Sequence, residues 1–170
     1  MEITTDVLLR GTEWKKAIDG LSNIFKTRPH YMLYILSMSI GIMYDRRIEK
    51  PIEDGEEPKS VPRNVLRNND NGKLDFIFQA AILTTTTEDF SEEERLDLAF
   101  GEKTDFNKMH FLTQFANFGV TKLVEQIGSS PVETMYNIKN FLESSFEGRN
   151  FEIDDLSNQL DLDDIEINAE

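Results

Sequence analysis

The sequence predicts an all-α protein. It would be a single compact bundle of about five or six helices around a buried central helix, at about residues 29–44, followed by an acidic C-terminal tail. Three observations carry this expectation. The run from Tyr31 to Tyr44 is apolar on every face apart from Ser37, Ser39 and Gly41. Phe106 to Ile127 repeats its apolar residues at three- and four-residue steps. Ser91-Glu-Glu-Glu94 and Ser130-Pro131-Val132-Glu133 are helix-start signatures, each followed downstream by a stopping glycine.

The chain has 170 residues, enough for one domain with a core of its own. Its net charge of -14 is unevenly spread: eight acidic residues and no Lys or Arg fall between Asn150 and Glu170, leaving -6 on the rest. A body this acidic repels nucleic-acid phosphates unless a local patch overrides it. There is no cysteine, which excludes disulfides, thiolate metal sites and cysteine nucleophiles. The opening MEITTDVLLR has no basic flank and no long apolar run, so no signal peptide is expected.

Taken in order, Asp6 to Leu9 is a short apolar stretch ended by Gly11. Thr12 then caps a helix carrying Trp14, Ile18, Leu21 and Ile24 or Phe25 at helical spacing. Trp14, the only tryptophan, is expected to anchor this helix on the central one. For the central helix, Thr27 supplies the cap and Pro29 sits in the tolerated first turn. It is too long for a strand and too short to span a bilayer, which needs about 20 apolar residues. Ser37, Ser39 and Gly41 mark a close helix crossing, and both serine hydroxyls can bond to a carbonyl one turn earlier.

Ile48 to Lys73 reads as irregular, with Pro51, Pro58, Pro62, Gly55, Gly72 and the polar run Asn68 to Asn71. Val61, Val65 and Leu66 pin a short helical turn within it. Leu74 to Leu83 is a second apolar helix, ending at the threonines Thr84 to Thr87. Ser91 launches a helix that stops at Gly101. Thr104 or Asp105 opens the long amphipathic helix, stopped by Gly128, in which Gly119 again implies a close crossing. The last helix starts at Ser130, buries Val132, Tyr136, the Lys139 stem, Leu142 and Phe146, and ends at Gly148. Residues 1–148 thus form the helical domain, and 149–170 an acidic-hydrophobic tail that is disordered or ordered by a partner.

Catalytic and metal chemistry find little support. His30 and His110 each lack a second ligand at helical spacing. Asp161, Asp163 and Asp164 lack the glycine and closing glutamate of a calcium loop. Glu102-Lys103 lacks the context of a nuclease acid-lysine pair. No serine sits in a nucleophile elbow and no glycine loop has phosphate-binding form. No enzyme, metal or cofactor is therefore expected. Two binding features stand out. Arg46 and Arg47, which close the central helix together with Asp45, join Lys59, Arg63 and Arg67 as a possible anion- or nucleic-acid-contacting patch, beside the alternative of a helix-end cap with internal salt bridges. In the tail, Phe151, Ile153, Leu156 and Leu160 are apolar anchors for a protein partner.

Three stretches, FKTRPHYMLYILSMSIGIMYDRRIEKPI, DFIFQAAILT and QFANFGVTKL, resemble in order and spacing the small helical accessory proteins found beside bacterial dnd (DNA phosphorothioation) defence gene clusters. The likeness covers about Thr12 to Leu142 and departs at Phe115 and in the long loop Glu53 to Asn71. It implies a setting and no catalytic residues: bacterial, cytoplasmic, in phage defence or DNA modification. The expected function is a non-catalytic accessory subunit binding another protein of the same system, with nucleic acid met only indirectly and no membrane. The alternative is an acidic DNA mimic that inhibits a nucleic-acid-binding protein.

Overall fold

In the computed structural model the described residues are 1–52, 55, 57–101 and 105–147. The apolar run becomes α2 (Pro29–Met43), and the long amphipathic stretch becomes α6 (Lys108–Val124). Their mutual contact is the largest between any two elements described. The small residues set its closeness. A Cβ on Gly119 would collide with the Ser37 carbonyl oxygen, and one on Gly41 with the Phe115 carbonyl. Ser37 thus meets Gly119 and Gly41 meets Phe115, so the two helices cross antiparallel with backbones nearly touching. Ser37 is fully buried at this crossing, and its hydroxyl has no hydrogen-bond partner. Ser39 is exposed on another face and does bond back to the Ile35 carbonyl, at 2.9 Å.

The other helices are α1 (Thr12–Leu21), α3 (Arg63–Asp70), α4 (Lys73–Thr84), α5 (Glu92–Phe100) and α7 (Pro131–Glu147). The fold is mostly helical, as the sequence predicts, with seven helices among the described residues. Two features were not expected. The predicted turn becomes a helix of two turns, α3, which holds Val65 and Leu66, while Val61 lies in a strand before it. The stretch after Asp6 is a strand, β1 (Val7–Leu9), paired antiparallel with β2 (Lys59–Val61) in the register Val7 to Val61 and Leu9 to Lys59. Val7, Leu9 and Val61 point into the core while Leu8 and Lys59 stay out, so this ribbon covers one flank of the helices.

Trp14 reaches the core from α1 and is 1% exposed. Its indole N–H donates to the Asn117 side-chain oxygen at 2.9 Å, and the Asn117 amide donates to the Ile48 carbonyl at 3.0 Å. One asparagine thereby joins α1, α6 and the chain leaving α2, with every buried polar atom of the relay paired.

Several helix starts differ from expectation. Gly11, not Thr12, is the cap of α1, and the Thr12 amide bonds to the Ile52 carbonyl at 3.0 Å. Arg28, not Thr27, precedes α2, in a left-handed conformation and with no side-chain cap. Asn107 caps α6 through the His110 amide, so the helix begins after Asp105. Thr104 and the Glu102-Lys103 pair lie outside the described residues. The capping box of α5 forms as predicted. In α7 the inward face is Thr134 and Ile138, with Phe141 and Leu142 packed beside them. Val132, Tyr136 and Lys139 are exposed instead, which corrects that part of the predicted inner face; Leu142 does pack inward, and the Phe146 side chain lies outside what is described. The Thr134 hydroxyl donates to the Ser130 carbonyl and accepts from the Gly128 amide, so its burial leaves nothing unpaired.

Candidate functional site

The five predicted patch residues do not share one surface. Arg47 leaves the end of α2 and turns inward, with its side chain 14% exposed. Its guanidinium pairs with Glu88, donates to the Thr87 hydroxyl at 3.1 Å, and lies over the Phe111 and Phe115 rings at 4.9 and 5.5 Å from their centroids. Asp45, in a left-handed turn, accepts from the Thr85 hydroxyl and from both the amide and hydroxyl of Thr86. Burial raises its pKa, but those hydrogen bonds and the Arg47 charge outweigh that and hold it below the ordinary carboxylate value. Asp45 and Arg47 therefore clamp the end of α2 to the threonine run after α4. Arg46 is exposed. Lys59 lies on β2 opposite Leu9, and Arg63 and Arg67 lie on α3. Arg63 and Arg67 lie one turn apart on the exposed face of α3, and the Arg63 side chain donates to the Thr4 carbonyl at 3.3 Å.

A stronger cationic feature lies at the other end of α2. The chain turns from α1 through Ile24 and Phe25, whose amides bond back to the Leu21 carbonyl. Arg28 reverses it at φ 53°, and α2 starts on Pro29. Opposite, α3 ends in two left-handed residues, Asn71 and Gly72, before Lys73 opens α4. The Arg28 side chain donates to the Asn69 side chain, and the Tyr31 hydroxyl to the Asn69 carbonyl, which ties the two corners together. His30 contacts the Ser60 carbonyl at 3.0 Å. Between the corners lies an open groove of about 490 Å³. Its apolar lining is Ile24, Phe25, Tyr31 and Met32, and Lys26, Arg28 and Lys73 stand on its rim. Among the described residues no carboxylate lines it and none of those three cations forms an ion pair, and the Asp70 carboxylate stands near Tyr31 at its edge. Partial burial, then the nearby Asp70 carboxylate, raise the Tyr31 phenol above its ordinary pKa, so it remains a neutral donor.

Two apolar faces are left uncovered. On α7, Val132, Met135 and Tyr136 are 78%, 57% and 65% exposed and form one stripe at three- and four-residue spacing. On the packed pair α4 and α5, Phe76 and Phe100 are exposed, with Leu83 and Leu96. Singly, such residues are ordinary on a protein surface; the α7 residues share one helix face.

Chemistry beyond binding has few participants. Among the described residues no group of three or more His, Asp or Glu side chains is placed to hold a metal ion. His110 contacts the Gln114 amide at 3.1 Å. Burial pushes the Tyr34 phenol up to about 12 despite its contact with the Thr113 hydroxyl. The tail residues Phe151, Ile153, Leu156 and Leu160, and Asp161, Asp163 and Asp164, lie outside the described residues. No helix among the described residues is long and apolar enough to cross a membrane. No family model, curated protein or solved structure matches the chain.

Lys26, Arg28 and Lys73 do not stand out as binding residues in the sequence. The available signal was the Asn71-Gly72 pair, a left-handed corner that brings Lys73 back toward the start of α2.

Proposed function

We propose that this protein is a non-catalytic interaction subunit that binds another protein, in the bacterial cytoplasmic setting of DNA modification or phage defence that its resemblance implies. The observation that carries the reading is the α7 stripe. Val132, Met135 and Tyr136 form an apolar face on a helix whose opposite face is already packed. A tyrosine and a methionine flanked by polar residues are common anchors of protein contacts. The finer architecture proposed with it is a helical body of residues 1–148 and an acidic tail of residues 149–170.

Affinity capture from a bacterial host tests this, using the wild type and the triple variant Val132→Ser, Met135→Gln, Tyr136→Ser. One protein recovered by the wild type and lost by an equally folded variant supports the reading. Equal recovery by both removes the α7 stripe as the contact. A second reading, the acidic DNA mimic, draws on α5, which fixes Glu92, Glu93 and Asp97 on an exposed helix. A mimic's partner would bind nucleic acid, and DNA would displace it.

A further inference from the structure

The groove at the start of α2 has chemistry unlike the rest of this acidic chain. Three cations, Lys26, Arg28 and Lys73, surround the apolar residues Ile24, Phe25, Tyr31 and Met32. An occupant that suits it alternates carboxylates with large apolar side chains. Residues 151–170 of this chain have that composition: Phe151, Ile153, Leu156, Leu160, Leu162, Ile165 and Ile167, interspersed with eight acidic residues and no Lys or Arg.

Reach permits the match. Tyr44, just past the end of α2, stacks on Phe141 of α7 with ring centroids 6.3 Å apart. The last turns of α7 therefore lie near the opposite end of α2 from the groove. α2 has 15 residues and spans about 22 Å. About seven or eight extended residues after Glu147 cover that distance, at roughly 3.3 Å each. The chain from Leu156 onward, with Leu160, Leu162, Asp161, Asp163 and Asp164, is therefore long enough to reach the groove. Tethering favours the chain's own segment, since a site joined to its occupant by a short stretch of chain meets it at an effective concentration of about millimolar.

We propose that the groove between the α1–α2 turn and the α3–α4 corner is the docking site for this chain's own acidic C-terminal segment, with its leucines on the apolar lining and its carboxylates facing Lys26, Arg28 and Lys73. This goes beyond the interaction-subunit reading and does not depend on it. Docking in this way neutralises a cationic groove with the most acidic segment of the chain. It also withdraws the tail's apolar residues from solvent until a partner competes for them.

The test is hydrogen–deuterium exchange of the full chain alone, at low protein concentration, read over residues 149–170. Three proteins are compared: the wild type, Lys26→Glu with Lys73→Glu, and a tail variant with Asp161, Asp163 and Asp164 changed to Asn. The expected result is tail exchange slowed about tenfold or more in the wild type and returned to the free-peptide rate in both variants. Only exposed side chains change in the groove variant, and the tail variant leaves the body untouched, so a folding failure in one leaves the other decisive. Free-peptide exchange in the wild type overturns the proposal. Slowed exchange that persists in the groove variant overturns it too, by placing the tail elsewhere. Slowing that appears only with dimer formation assigns the groove to a second copy's tail and overturns docking within one chain.

Discussion

The two late helices α6 and α7 are equally long at 17 residues and adjacent in the chain, yet they do opposite things. α6 buries eight residues: Phe111, Leu112, Phe115, Ala116, Asn117, Gly119, Val120 and Leu123. α7 buries Thr134 and Ile138 and leaves Val132, Met135 and Tyr136 in solvent. The difference lies in their small residues. Gly119 lets α6 press against the α2 backbone, where contact is dense and dispersion is gained on every side. Fewer described residues of α7 sink into the core, and one of its apolar stripes is left over. α6 is also the more apolar of the two, with two Lys against three Glu and one Lys in α7.

The largest expected effect breaks the packing side of this comparison. Gly119→Ala puts a methyl group against the Ser37 carbonyl, and Gly41→Ala puts one against the Phe115 carbonyl. Neither obstacle is a flexible side chain. Each change should cost about 3 kcal/mol, the upper part of the overpacking range, measured by urea denaturation. Wild-type stability in either variant would mean that the helices are farther apart than described here.

Next comes the polar relay. Asn117→Leu leaves the Trp14 indole N–H and the Ile48 carbonyl without their partner. It should cost about 1–3 kcal/mol and shift the Trp14 fluorescence.

Acid sensitivity follows from the clamp at the end of α2. The folded pKa of Asp45 lies below its ordinary 3.8, so its contribution is fully present above that value and is lost as pH falls through the folded one. Glu94 and Glu133 are also held below their ordinary 4.5, by hydrogen bonds from Ser91 and from Ser129, so they too lose stabilisation as pH falls. The contribution of Asp45 is therefore read as a difference: Asp45→Asn should flatten the fall in melting temperature below about pH 4 relative to wild type. Parallel curves would show that the Thr85 and Thr86 bonds do not hold in solution.

The smallest effect on stability is expected on α7. The triple variant Val132→Ser, Met135→Gln, Tyr136→Ser should stay within about 1 kcal/mol of wild type, because its side chains touch mostly water. A large loss would show that the stripe is packed after all.

Much of the fold could be read from local signals. The apolar run of α2, the spacing in α6 and the Ser91 capping box each act within a few turns of chain, and Gly41 and Gly119 announced the crossing before it was seen. The strand pair was not legible, because Val7 finds Val61 across more than fifty residues of sequence and neither segment alternates long enough to show a period of two. The inner face of α7 was misread because the helix has two candidate stripes. The buried one contains Thr134, whose hydroxyl is satisfied by its own turn. Of the two readings of the α2 end, Arg47 takes the internal salt bridge, and sequence does not show that its partners are Glu88, Phe111 and Phe115. Lys26, Arg28 and Lys73 meet only because two left-handed corners face each other.

The contrast between packing and contact is tested most directly by hydrogen–deuterium exchange of the full chain with and without the protein recovered by affinity capture. The account predicts that residues 131–140 gain protection on binding, while α6 is already protected and changes little. New protection confined to α3 or the α2–α6 crossing, with α7 unaltered, would contradict it.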